Sequence, residues 1–343
     1  MTTVFESEIL SQSSLLRERS EAGQRAANRA ASLYDSSITH LVVVARGSSD
    51  CAATYLQYLV GQEIGLLTAL ATPSLYVAPH RINLAGAMVV AISQSGRSPD
   101  IVEVVKAAKA QGRPTVAITN DVDSALALEA DEVIALMVGP EISLAATKTL
   151  LASLQAGEQL VRAMSDVPVL FEEDRLPELI AVTTAWALDS IGSLLAGMPF
   201  EGLTVVGRGL GLSAAEECAL KIREVSGIRA EAYAAPDLLH GPIGAEGSGS
   251  SMWLVLSDEI DDETAADLLA RAKRSGLATI VSRLQSRKAT QADLEFVIPA
   301  TCPNWMTPFL TIVTGQVLAL RLGELRQRPI DEPPGLQKIT LTN

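Results

Sequence analysis

Leu41-Val42-Val43-Val44-Ala45-Arg46-Gly47 decides the fold, because the chain says it twice: Leu203-Thr204-Val205-Val206-Gly207-Arg208-Gly209 follows at an offset of 162. A short β-branched run that ends on glycine reads as a buried strand entering a turn. Outward from the first copy, Ala87-Met88-Val89-Val90-Ala91-Ile92 is a second such run and ends on Ser93-Gln94-Ser95-Gly96. A helix over Asp100–Gln111 follows, then a strand over Pro114–Thr119 and a weaker one near Val133–Met137. The repeat continues at nearly the same offset. Val102–Thr119 matches Ala266–Ser282, with Ala108-Lys109 over Ala272-Lys273 and Gly112 over Gly276, and Ala130-Asp131 lines up with Ala292-Asp293. Short apolar strands alternating with helices predict an α/β fold with a mainly parallel sheet covered on both faces, built twice.

The pattern divides the chain into an N-terminal helix over 1–36, a first α/β domain over 37–170, a helical connector over 171–198, a second domain over 199–325 and a Pro-containing tail over 326–343 that carries Lys338. With 343 residues, 48% hydrophobic and 20% charged, there is material for two cores. The net charge of −13 argues against a nucleic-acid or anionic-membrane partner, since both reward clustered Lys and Arg. Apolar stretches such as Leu84–Ile92 fall short of the ~20 residues that span a bilayer. Met1–Ile9 has no basic leader, so a cytoplasmic location is expected. Three Cys and three His are too few for a disulfide framework or a Cys/His zinc site. His40 and His80 read as packing or surface residues, and Cys51 and Cys218 as small core residues.

Ligands of a parallel α/β sheet bind beyond the carboxyl ends of its strands. Three polar loops fall there: Gly47-Ser48-Ser49, Ser93-Gln94-Ser95-Gly96-Arg97-Ser98, and Ala145-Ala146-Thr147-Lys148. The second places hydroxyl and amide side chains around a glycine just before a helix, which suits a phosphate. An ordinary capped turn uses the same residues. Neither GxxxxGK[ST] nor GxGxxG is present. The second copy has Gly207-Arg208-Gly209-Leu210-Gly211 without serines, and Leu254–Ser257 runs into Asp258-Glu259. An acidic loop repels phosphate, so this copy is expected to have lost the site. It carries instead Glu217, Lys221 and Glu224 along one helical stripe, a spacing that a solvated salt-bridged face also produces. His240 stands among apolar residues before Gly241-Pro242.

Taken together and in order, these segments resemble the sugar isomerase (SIS) domain family. From about residue 36 onward the chain is similar to the isomerase half of glucosamine-6-phosphate synthase and its relatives. The carrying segments are Gly47-Ser48-Ser49, Ser93–Gly96, Glu141–Lys148, Glu217–Glu224, Glu231-Ala232-Tyr233 with His240-Gly241-Pro242, and Lys338. The resemblance implies two tandem three-layer α/β/α SIS domains, each with a five-stranded sheet of flavodoxin-like type. It implies that Gly47, Ser48, Ser49, Ser93, Gln94, Ser95 and Ser98, with Leu144, Ala146 and Thr147, bind the phosphosugar. Glu224 would move a proton between C1 and C2, and His240 would assist ring opening from the neighbouring subunit of a homodimer. Lys338 would close over the substrate, with Lys221 near the same atoms, and no metal or organic cofactor would be needed.

Three loop positions depart from the family pattern: Arg97 and Ser98 where an acidic residue and Thr are common, and Ala146 where a serine is usual. The synthase also carries a glutaminase domain with an N-terminal cysteine nucleophile, whereas this sequence starts Met1-Thr2-Thr3. The expected activity is therefore glucosamine-6-phosphate deamination to fructose 6-phosphate and ammonia. The alternatives are a related aminosugar- or fructosamine-phosphate isomerase or deglycase, and a non-catalytic sugar-phosphate sensor.

Overall fold

The computed structural model describes residues 2–77, 82–165, 175–245, 247–335 and 338. In chain order the helices and strands are α1 (Val4–Ala31), β1 (His40–Val44), α2 (Ser48–Glu63), β2 (Leu67–Leu70), α3 (Ser74–Val77), β3 (Ala87–Ile92), α4 (Pro99–Ala110), β4 (Thr115–Thr119), α5 (Ala125–Glu129), β5 (Glu132–Ala135) and α6 (Lys148–Met164). There follow α7 (Leu176–Leu194), β6 (Gly202–Gly207), α8 (Leu210–Lys221), β7 (Arg229–Ala234), α9 (Ala235–Leu239), β8 (Ser251–Val255), α10 (Asp262–Arg274), β9 (Ala278–Leu284), β10 (Leu294–Ile298) and α11 (Thr307–Leu325).

Both sheets are five-stranded and parallel, ordered β2-β1-β3-β4-β5 and β7-β6-β8-β9-β10. Each is the 2-1-3-4-5 order of a flavodoxin-like sheet. The central strands are apolar because helices cover both faces: all six residues of β3 and all five of β4 are buried. The repeat extends to single atoms. The Thr115 amide and hydroxyl donate to Asp131 Oδ2 at 2.9 and 2.7 Å, and those of Thr279 to Asp293 Oδ2 at 2.8 and 2.7 Å. Gly47 and Gly209 share one backbone conformation, φ 58 and ψ −133 against φ 56 and ψ −131.

The chain forms two compact units. One holds Ser14–Glu141, α6 and Lys338; the other holds the leading residues through Ser13, Ile142–Thr147, and the chain from α7 through α11. In the first, Val42, Val89, Val104, Val105 and Leu126 share a core that covers one sheet face. In the second, Val206, Leu254, Leu268 and Val281 do the same. Within the second unit, α7 carries Pro177 in its first turn, a position where a missing amide costs nothing. The boundary expected at 170 and His80 lie outside the described residues.

The helical segment Asn304–Leu325 is long and apolar enough to cross a bilayer, although Thr and Gln interrupt its apolar run. Most of its residues are buried, as those of a core helix are. It packs along α8, where a methyl group on Gly315 would fall 2.3 Å from the Cys218 sulfur. Cys218 and Cys51 are both buried. Burial, with Glu217 nearby, pushes the Cys218 thiol well above its usual value, so it behaves as an inert small residue.

Candidate functional site

In the first unit, β1 and β3 deliver their loops to the same carboxyl edge of the sheet. Gly47 takes the positive φ that lets α2 start at Ser48. Ser48 and Ser49 are half-buried. In the second loop, Ser93 Oγ accepts from the Gly96 amide at 3.2 Å and Ser95 Oγ from the Arg97 amide at 3.3 Å. Both hydroxyls thus shape the turn through their lone pairs while each keeps an O–H to donate. Ser98 sits at the N-cap of α4, yet its side chain makes no capping bond. Turn-making and anion-binding are therefore compatible readings of one loop. Gly96 is held against its neighbours, since a Cβ there would lie 2.0 Å from Ser124 Oγ.

Arg46 is a residue that the sequence reading passed over. Its Nε and Nη2 both lie 2.9 Å from Asp100 Oδ2, with the carboxylate 3% exposed and the arginine 49%. The pair neutralises the carboxylate in the first turn of α4, where it would oppose an incoming anion. Arg97 goes instead to Asp121 at 3.0 Å. In the second copy a carboxylate lies at the N-terminus of α8, the counterpart of α2. Glu259 accepts from the Leu210 amide at 3.2 Å and from Asn304 Nδ2 at 2.8 Å. A carboxylate of the chain itself occupies the N-terminus of α8, so that end is already satisfied.

The Glu217–Lys221–Glu224 stripe is not a solvated face. The Lys221 and Glu217 side chains are 1% and 0% exposed, with Lys221 Nζ 3.5 Å from Glu217 Oε1 and in close contact with Glu224 Oε2. Only Glu224, at 22%, opens toward solvent. A π-helical turn over Ile222–Ser226 carries it, a distortion that recurs at functional sites. Of the two carboxylates, Glu224 is the one a ligand could reach. Nearby chain segments line a cleft of about 350 Å3 with Glu216, Arg223, Glu231, Ala232 and Tyr233. A cavity of about 390 Å3 against α10 touches none of the candidates. His240 is exposed just beyond α9.

Leu144 and Ala146 are half-buried, whereas Thr147 is fully buried and donates its hydroxyl to Glu8 Oε2 at 2.9 Å. Lys338 Nζ lies 3.0 Å from Glu141 Oε2, a buried carboxylate that also accepts from the Thr149 amide and hydroxyl at 3.0 and 2.8 Å. Glu141 heads the Glu141–Lys148 segment, and the sequence alone does not show its bond to Lys338. Among the described residues no group of three or more His, Cys, Asp or Glu is arranged to hold a metal ion. The phosphate-loop residues and Lys338 belong to one unit, and Glu217, Lys221, Glu224, His240 and the 142–147 loop to the other.

Residues 32–163 match the SIS domain model. A glutamine–fructose-6-phosphate aminotransferase of Aeropyrum pernix is 30% identical over 322 residues, covering 87% of this chain and 50% of its own length. The chain thus spans about half the length of the curated relatives it matches. A candidate phosphosugar isomerase of Silicibacter pomeroyi superposes with a TM-score of 0.83 at 28% identity, covering 96% of this chain and 99% of that one. A glucosamine-6-phosphate deaminase of Thermotoga maritima, at 19% identity and a TM-score of 0.77 over 99% of this chain and all 100% of its own, shares the fold. With its two parallel sheets of one order, the chain carries a SIS domain and is homologous to the isomerase half of the glutamine–fructose-6-phosphate aminotransferases, and its structural neighbours include phosphosugar isomerases.

Proposed function

We propose that the protein is an aldose–ketose isomerase that deaminates a phosphorylated aminosugar, with glucosamine 6-phosphate as substrate. The observation that carries this reading is the sealed Lys221 between Glu217 and Glu224, with Glu224 alone reaching solvent. A carboxylate so placed suits proton transfer between adjacent carbons. In the open-chain sugar, Glu224 takes the C2 proton, a C1–C2 double bond forms, and the C1 carbonyl pair passes to its oxygen, which takes a proton released by the substrate ammonium to give an enolamine. Return of the proton to C1 leaves a C2 imine, and water hydrolyses it to a ketone and ammonia. No step calls on glutamine. The fold shared with a protein named a glucosamine-6-phosphate deaminase is in keeping with this direction.

Ser93, Gln94, Ser95 and Ser98, with Gly47, Ser48 and Ser49, would hold the phosphate through O–H and N–H donors, and Arg46 would remove the opposing charge of Asp100. Leu144 and Ala146 would line the sugar. His240 would assist ring opening from the second subunit of a homodimer, a role in keeping with its exposure. Lys338 would sit over the sugar, held by Glu141. The test is ammonia release from a panel of glucosamine, galactosamine and fructosamine phosphates. Release from glucosamine 6-phosphate upholds the assignment. Release only from another member keeps the reaction and changes the substrate. Binding without release favours a sugar-phosphate sensor, in which the Lys221 cluster is structural.

A further inference from the structure

Glu8 stands on α1, 134 residues before Ile142, yet it holds the loop that carries two candidate substrate contacts. Its residue is 6% exposed. Oε1 accepts from the Ile142 amide at 2.6 Å and the Ser143 amide at 3.4 Å, and Oε2 accepts from the Thr147 hydroxyl at 2.9 Å. Burial alternates along the loop, with Ser143, Ala145 and Thr147 inside and Leu144 and Ala146 half outside. The bonds to Glu8 thus take hold at both ends of the segment. Ile142–Thr147 has no helix or strand of its own, so its conformation needs such external partners. Hydrogen bonds to a buried carboxylate are the strong kind.

We infer that Glu8 is a positioning residue: it fixes the Ile142–Thr147 loop so that Leu144 and Ala146 face the sugar phosphate. The inference rests on the substrate class proposed above. It also reassigns the Thr147 hydroxyl. Its proton is committed to Glu8, so Thr147 acts on the ligand through the shape of the loop and does not donate to a phosphate oxygen.

Glu8→Ala removes all three acceptor contacts. Glu8→Gln keeps one oxygen for the amides and an amide group that pairs with Thr147. Gln12→Leu, one turn further along α1, breaks the 2.9 Å buried bond to Gln316 and reports simple destabilisation. Two quantities are read on the full chain: hydrogen–deuterium exchange of the peptide spanning 142–147, and calorimetric affinity for glucosamine 6-phosphate. Glu8→Ala is expected to speed exchange in that peptide and to weaken affinity by about tenfold or more. Glu8→Gln should recover most of both, and Gln12→Leu should lower the melting temperature and move neither. If Glu8→Ala does not fold, Thr147→Val makes the same comparison with a smaller deletion. Unchanged exchange in the loop overturns the inference, as does faster exchange with affinity within about twofold of wild type. A wild type that binds no aminosugar phosphate overturns the substrate reading instead, and exchange alone then decides whether Glu8 fixes the loop.

Discussion

Lys221 shows what one residue can reveal and conceal. Its spacing from Glu217 and Glu224 is plain in the sequence; its burial is not, because the helix that covers α8 is α11, some ninety residues later. Separation along the chain likewise hid Arg46 with Asp100, 54 residues apart, and Glu8 with its loop, 134 residues away. Replacing Lys221 by Met would leave the sealed Glu217 without its counter-charge. Removing one partner of a buried pair costs about 3–5 kcal/mol, and denaturant unfolding of Lys221→Met should show a loss of that order. A change under about 1 kcal/mol would mean that the cluster is hydrated and reorganises freely. At the other candidate pole, Ser95→Asp puts a carboxylate on the loop proposed to take the phosphate. Calorimetry should then detect no binding of glucosamine 6-phosphate while the melting temperature holds. Unchanged affinity would remove the loop from the site.

Among the elements, legibility followed burial. β1, β3, β4 and β6 were readable as apolar runs because helices cover both sheet faces there. The edge strand β2 was not: it is Leu67–Leu70 with only Thr68 buried, and it carries no run to read. β7 likewise alternates Arg, Glu and Tyr with alanines along an edge. The π turn after α8 left no sequence signal at all. The Thr–Asp staple, by contrast, was visible as a repeated Ala-Asp pair, and it supports a pH prediction. Burial works against the Asp293 charge, but hydrogen bonds from Thr279 and Lys273 outweigh it and hold the carboxyl below its usual value. A depressed carboxylate stabilises the fold above its unfolded pKa of about 3.9 and loses that contribution as pH falls through the folded value. Asp293→Asn should therefore melt below wild type at neutral pH, with the gap closing as the pH drops below about 4. A gap of constant size from neutral to acid pH would show that the charge does nothing there.

For the whole molecule, the two copies have diverged in what fills a helix N-terminus. Gly47 opens α2 with no carboxylate of the chain bonded there among the hydrogen bonds described, whereas Glu259 accepts from the first amide of the matching helix α8. One copy has a serine loop and the other a lysine between carboxylates. If assembly completes the site, subunits carrying Glu224→Gln and subunits carrying His240→Ala, each inactive alone, should regain part of the activity when mixed. No gain after verified subunit exchange would mean that each chain builds its own site. The central claim is proton transfer by Glu224 followed by loss of ammonia. The most direct measurement incubates glucosamine 6-phosphate in deuterated water and follows deuterium at C1 of the sugar together with free ammonia. Wild type should release ammonia and fructose 6-phosphate in equal amounts without glutamine, and Glu224→Gln should slow both deuterium entry and release by about a hundredfold or more. Ammonia release and deuterium entry that proceed unchanged in Glu224→Gln, or that are absent from wild type, would contradict it.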